Sequence, residues 1–142
     1  MLANRLWPVL FHYVKMSVMV YGILGVGVDI EGIARFRSPE LSADKVLLNN
    51  IFTSRELDYC QSYTDPAPHL AARFAAKEAI VKALSAAGFT VSELSGIEIL
   101  INKSGIPQAI IDKQSVNGIQ VHISLSHNQQ NAIAFAIVTK QA

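Results

Sequence analysis

The chain has 142 residues, 51% of them hydrophobic, with twelve basic and eleven acidic side chains for a formal charge of +1. That length suits one domain with a substantial core, and that apolar content excludes disorder. The near-zero charge gives no overall attraction to nucleic acid or to a membrane surface, so a charged partner must be met by a local patch.

Residues 1–19 read as an N-terminal extension on a domain spanning 20–142. The run Leu6 to Val14 is apolar but contains Pro8 and His12, and it is too short to cross a bilayer. The apolar residues after Lys15 imitate a signal peptide but lack a small-residue cleavage site. Met16 and Met19 are alternative starts. The single cysteine, Cys60, allows no internal disulfide and has no neighbour at zinc-ligand spacing. It suits a reducing compartment, here the cytoplasm.

Ile23 to Ile30 alternates and reads as a buried strand. Val26, Val28 and Ile30 face one side; Gly25, Gly27 and Asp29 face the other. Two glycines beside a carboxylate leave space for close approach by a ligand or another backbone. Asp29 could alternatively cap the next helix. Ile30 to Phe36 then reads as a short helix stopped near Pro39. Ser42 and Asp44 open another, with Val46, Leu47, Leu48, Ile51 and Phe52 as its apolar residues. Thr53-Ser54-Arg55-Glu56 has the form of a capping box, which makes Glu56 a structural residue.

The most informative stretch runs from His69 to Leu84. Ala, Leu, Lys and Glu dominate it, and Gly88 stands where a C-terminal cap belongs. At about 100° per residue, Leu70, Phe74, Val81 and Leu84 form one stripe, and Ala72, Ala76, Ala79 and Ala83 a second. A helix apolar nearly all round is buried. Its charges, Arg73, Lys77, Glu78 and Lys82, must therefore find partners. Glu78 and Lys82 pair with each other at i,i+4, or these residues hold something charged.

Strands follow. Ile97–Ile101 leads through the turn Asn102–Gly105 to an edge strand at Pro107–Ile111. After Asn117-Gly118, Val121, Ile123 and Leu125 alternate with polar residues, and 132–138 closes a hairpin across the turn Asn128–Asn131. The order predicts an α+β fold, with helices packed on a mostly antiparallel sheet.

Asp29, Glu78, Lys82 and His127 suit Mg²⁺-dependent chemistry on a phosphate. Mg²⁺ takes one or two carboxylates and completes its octahedron with water and phosphate oxygens. The lysine can neutralise or protonate a leaving phosphate. His12, His69 and His122 carry no motif and read as structural or surface residues.

The strings themselves are more specific. Gly25-Val26-Gly27-Val28-Asp29-Ile30, Arg73-Phe74-Ala75-Ala76-Lys77-Glu78-Ala79 with Lys82, and Ile123-Ser124-Leu125-Ser126-His127 resemble the holo-acyl-carrier-protein synthase family, the small type of 4′-phosphopantetheinyl transferase. Ile51 to Leu57 and the Gly105-Ile106-Pro107 turn extend the resemblance over about residues 22–139. It implies transfer of the phosphopantetheine arm of coenzyme A to a serine of apo acyl carrier protein, with release of adenosine 3′,5′-bisphosphate. By the same resemblance, Asp29 and Glu78 would bind Mg²⁺, Glu78 would help deprotonate the serine, and Lys82 would stabilise the departing bisphosphate. Arg73, Lys77, Ser126 and His127 would contact coenzyme A. Arg35, Arg37 and Lys45 would dock the carrier, although Gly32 and Leu47-Leu48-Asn49-Asn50 depart from the family's basic pattern there. The family also implies a homotrimer with active sites at subunit boundaries. The competing readings are a noncatalytic carrier-protein or coenzyme A binding module of the same fold, and another Mg²⁺-dependent phosphate enzyme.

Overall fold

The computed structural model describes residues 22–112 and 116–141; the extension at 1–19 lies outside the described residues. Strand β1 (Ile23–Gly32) leads into a 3-10 turn (Ile33–Arg37) and three short helices, α1 (Pro39–Ala43), α2 (Lys45–Ile51) and α3 (Ser54–Gln61). The long helix α4 (Ala67–Ala86) follows, then β2 (Ile97–Ile101), β3 (Pro107–Ile111), β4 (Ile119–His127) and β5 (Asn131–Lys140). The strands form two antiparallel sheets, one in the order β1-β5-β4 and one pairing β2 with β3. The expected α+β class is observed.

Local sequence explains most boundaries. The 3-10 turn ends at Arg37, near Pro39 as expected, and Pro39 also opens α1 with Ser38 as its cap, because its missing N–H has no partner to lose in the first turn. Thr53 and Glu56 make the capping box of α3. Gly88, at φ +85°, ends α4 in a Schellman motif: Phe89 N–H donates to Leu84 O and Gly88 N–H to Ser85 O.

Helix α4 lies on the sheet face formed by Gly25, Gly27, Ala132, Ala134, Ala136 and Val138, with its own alanines inward. Small residues on both sides bring the backbones close. A Cβ added to Gly27 would stand 1.9 Å from the Ala79 carbonyl oxygen, and one on Gly25 1.9 Å from that of Ala83. The space beside the glycines is thus filled by helix backbone. The expectation of a buried strand is corrected accordingly: the glycine face of β1 is buried, while Val26, Val28 and Ile30 are 49%, 52% and 63% exposed. The following helix is also shorter than expected, since β1 continues to Gly32. Asp29 therefore sits inside a strand and caps nothing.

Candidate functional site

Strand alternation gives Asp29 the same face as Gly25 and Gly27, so its carboxylate lies beside α4. There it meets Lys82. The Lys82 ammonium donates to Asp29 Oδ1 at 2.6 Å and to the Val28 carbonyl at 3.0 Å. Asp29 Oδ2 is buried and has no hydrogen-bond partner. Glu78, partly buried, lies one turn before Lys82. The expected Glu78–Lys82 pair is replaced by the Lys82–Asp29 bridge. The Asp29 hydrogen bond, with the charges of Asp29, Glu78 and Glu31, raises the Lys82 pKa above the ordinary lysine value against some desolvation. Lys82 is therefore an ammonium throughout the neutral range, and its side chain is half exposed.

Arg73 and Lys77 each precede one of these two residues by five positions, roughly 140° round the helix. They consequently lie on the other flank of α4. Arg73 is 2% exposed; its Nη1 donates to His69 O at 3.3 Å and its guanidinium lies over the Tyr59 ring at 4.2 Å. Nε and Nη2 are buried without partners. Neighbouring His69 stacks on Tyr63 at 3.7 Å and stands edge-on to His127 at 6.4 Å. Burial, then the charges of Arg73 and His127, lower the His69 pKa and keep it neutral near pH 7. No local pattern joins His69 to a residue on β4, and the structure brings it beside His127. Burial also pushes the Cys60 thiol up to about 11, so it is no nucleophile.

One expected coenzyme contact is corrected. Lys77 is fully buried and spends its three donors on Glu56 Oε2 at 2.7 Å, Ile51 O at 2.6 Å and Leu94 O at 3.0 Å. No donor remains for a phosphate. Ser126 and His127 stand on opposite faces of β4: Ser126 shares the outer sheet face with Ile133, and His127 the inner face with Ala132.

Glu56 is more than a cap, since Oε1 accepts from Ile99 N–H at 2.8 Å while Oε2 takes Thr53 N–H and Lys77. Desolvation lowers the Lys77 pKa, opposed by Glu56. Glu56→Gln should cost about 3–5 kcal/mol in thermal denaturation, because it strands a buried cation. Glu56→Gln with Lys77→Met should recover a large part of that loss. Additive losses would show that the two residues stabilise the fold separately.

Arg35, Arg37 and Lys45 are exposed, as docking residues must be. Arg35 pairs with Glu31 at 3.3 Å and lies over Phe74, and Arg37 forks onto Asp65 at 2.6 and 3.2 Å. A groove between β3 and β4, lined by Pro107, Ala109, Ile119 and Val121, has no carboxylate or lysine among the described residues that line it.

The family model of the 4′-phosphopantetheinyl transferase superfamily matches residues 25–138. A holo-[acyl-carrier-protein] synthase of Thermodesulfovibrio yellowstonii is 40% identical over 118 residues, covering 82% of this chain and 99% of that protein. One from Chlorobaculum parvum is 39% identical over 113 residues, 80% of this chain and 96% of that protein. The solved acyl carrier protein synthase of Mycobacterium tuberculosis aligns with a TM-score of 0.65 at 31% identity, covering 84% and 99% of the two chains. The holo-(acyl-carrier-protein) synthase of Bacillus anthracis, solved in complex with CoA (3′,5′-ADP), aligns at 0.67 and 27%, covering 84% and 98%.

Proposed function

The chain belongs to the 4′-phosphopantetheinyl transferase superfamily, and from that membership we propose the reaction and the residues that carry it. The protein transfers the 4′-phosphopantetheine group of coenzyme A to a serine of apo acyl carrier protein, releasing adenosine 3′,5′-bisphosphate. The serine oxygen bonds to the phosphorus that carries pantetheine. The bond from that same phosphorus to the bridging pyrophosphate oxygen breaks, and the oxygen leaves with the electron pair as part of the bisphosphate. The serine proton passes to Glu78, directly or through water, and then to solvent.

One observation carries the residue assignment: Asp29 holds a buried carboxylate oxygen with no partner while Lys82 takes its other oxygen, and the charge of Glu78 acts on the same ammonium. Such an oxygen is costly to bury unless it serves a ligand. Among the described residues no three His, Cys, Asp or Glu side chains gather into a metal cluster. Two carboxylates nonetheless fit Mg²⁺, which keeps several positions for water and phosphate. Asp29 and Glu78 would hold it, and when bound it supplies charge neutralisation at the pyrophosphate. Lys82, permanently charged and half exposed, neutralises the leaving bisphosphate. Arg73, with two unpartnered nitrogens, and His127 serve coenzyme phosphates from the other flank of α4.

That division between flanks supports an assembly in which one copy supplies the Asp29 half and its neighbour the His127 half. The outer sheet face supports it too. Val28 pairs with Phe135 and Ile30 with Ile133, and with Leu24 and Val26 they form an apolar face that is 41–63% exposed in one protomer. Such a patch marks an interface. The homotrimer implied by the family would bury it. Among the described residues no helix is long and apolar enough to cross a membrane. We place the protein in the cytoplasm, in keeping with its free Cys60.

Mass spectrometry of apo acyl carrier protein after incubation with the protein, coenzyme A and Mg²⁺ should show the phosphopantetheine adduct. No adduct with coenzyme A still bound would return the noncatalytic module. Lys82→Ala should lower kcat about 100-fold or more with little change in the KM for coenzyme A, because its charge matters most as the leaving group becomes anionic. A raised KM at normal kcat would show uniform binding instead.

Arg35 and Arg37, together with Lys45, steer the carrier. Reversing both arginines to Glu should lower kcat/KM for the carrier roughly 10-fold at low ionic strength, with the deficit shrinking as salt is added. Equal rates at low salt would place docking elsewhere.

A further inference from the structure

Asp29 and Lys82 are 53 positions apart in sequence, yet their ion pair is among the shortest in the protein at 2.6 Å. Lys82 is held by two acceptors of β1, the carboxylate and the Val28 carbonyl. It engages only Oδ1 of Asp29; Oδ2 remains buried and unpartnered. The carboxylates of Glu31 and Glu78 act on the same ammonium. One lysine thus balances a group of negative charges that a divalent cation would otherwise balance.

We infer that Lys82 is the resident counter-ion of Asp29 in the metal-free protein, and that this pair opens when Asp29 accepts a divalent cation. The inference rests on Asp29 being a metal ligand. A lysine ammonium and a metal ion beside the same carboxylate repel each other, so Lys82 weakens metal binding for as long as it stays. Its half-exposed side chain can leave without disturbing the core. On leaving, its charge becomes available to the phosphates of coenzyme A. Metal and coenzyme therefore reinforce each other through Lys82: the cation frees the lysine, and the phosphates give it a new partner.

Divalent-cation binding to the full chain without coenzyme A tests this. Mg²⁺ is followed by calorimetry and Mn²⁺ by loss of its free paramagnetic signal. Lys82→Met should bind either ion about 10-fold more tightly than the unaltered protein. Lys82→Arg, which keeps the charge, should bind as the unaltered protein does. In the unaltered protein the Lys82 side-chain nitrogen resonance should shift on saturation with Mg²⁺, and in Asp29→Asn it should not. Equal or weaker affinity in Lys82→Met overturns the exchange, as does an unmoved Lys82 resonance at saturation. A different failure is separable. If Asp29→Asn binds Mg²⁺ as tightly as the unaltered protein, or if the unaltered protein takes up neither ion even with coenzyme A, the metal assignment itself has failed.

Discussion

Gly27→Ala should destabilise the protein by about 3 kcal/mol or more, at the upper end of what overpacking costs. The new Cβ would lie 1.9 Å from the Ala79 carbonyl oxygen and 2.8 Å from the Ala83 nitrogen. Both are helix backbone, so no rotamer can relieve the contact; β1 and α4 must move apart. For a chain of this size the melting temperature should fall by roughly 6–12 °C. Activity should fall further than stability alone predicts, because the same displacement moves Asp29 on β1 away from Glu78 on α4, the two residues proposed to hold one metal ion. Gly32→Ala is the control. A Cβ there meets nothing within 4 Å, and its backbone is in the ordinary extended region. It should change stability by less than about 0.5 kcal/mol. If both variants melt alike, close backbone approach does not set the helix position.

Asp29→Ala should abolish carrier modification, a loss of about 1,000-fold or more, while the protein still folds. The substitution removes a carboxylate that would bind metal, and electrostatic stabilisation of this kind is usually the largest contribution to catalysis. The fold should survive because the change removes an unpartnered buried oxygen and leaves Lys82 its Val28 carbonyl. Turnover in the mass-spectrometric assay and far-UV circular dichroism separate the two effects. Unchanged turnover would sink the role of Asp29. Lost turnover with lost secondary structure would make Asp29 a structural residue, and Asp29→Asn would then decide between the roles.

Local chemistry made much of this protein readable from its sequence. Helix α4, its glycine stop, the Thr53 capping box and the hairpin turns each depend on a few neighbouring residues, and so does the resemblance carried by the Asp29, Glu78–Lys82 and His127 strings. Tertiary packing decided the rest. Period-two alternation in β1 separates two faces but does not say which is covered. The glycine face won because only it admits a helix backbone so closely, and the valines were left outward. The same holds for the charges. Lys82 has Glu78 at the favourable i,i+4 spacing, yet it reaches across to Asp29, which β1 places beside it. Lys77 resembles a phosphate ligand in sequence, but it is buried against Glu56, 21 positions away, on a helix that no local pattern orients. His69 meets His127 only because β4 brings the two together. Sequence by itself determined which groups the chain owns and the local conformation of each segment. Which charge meets which carboxylate was decided by contacts between distant segments, and those exist only once the sheet and the helix have packed.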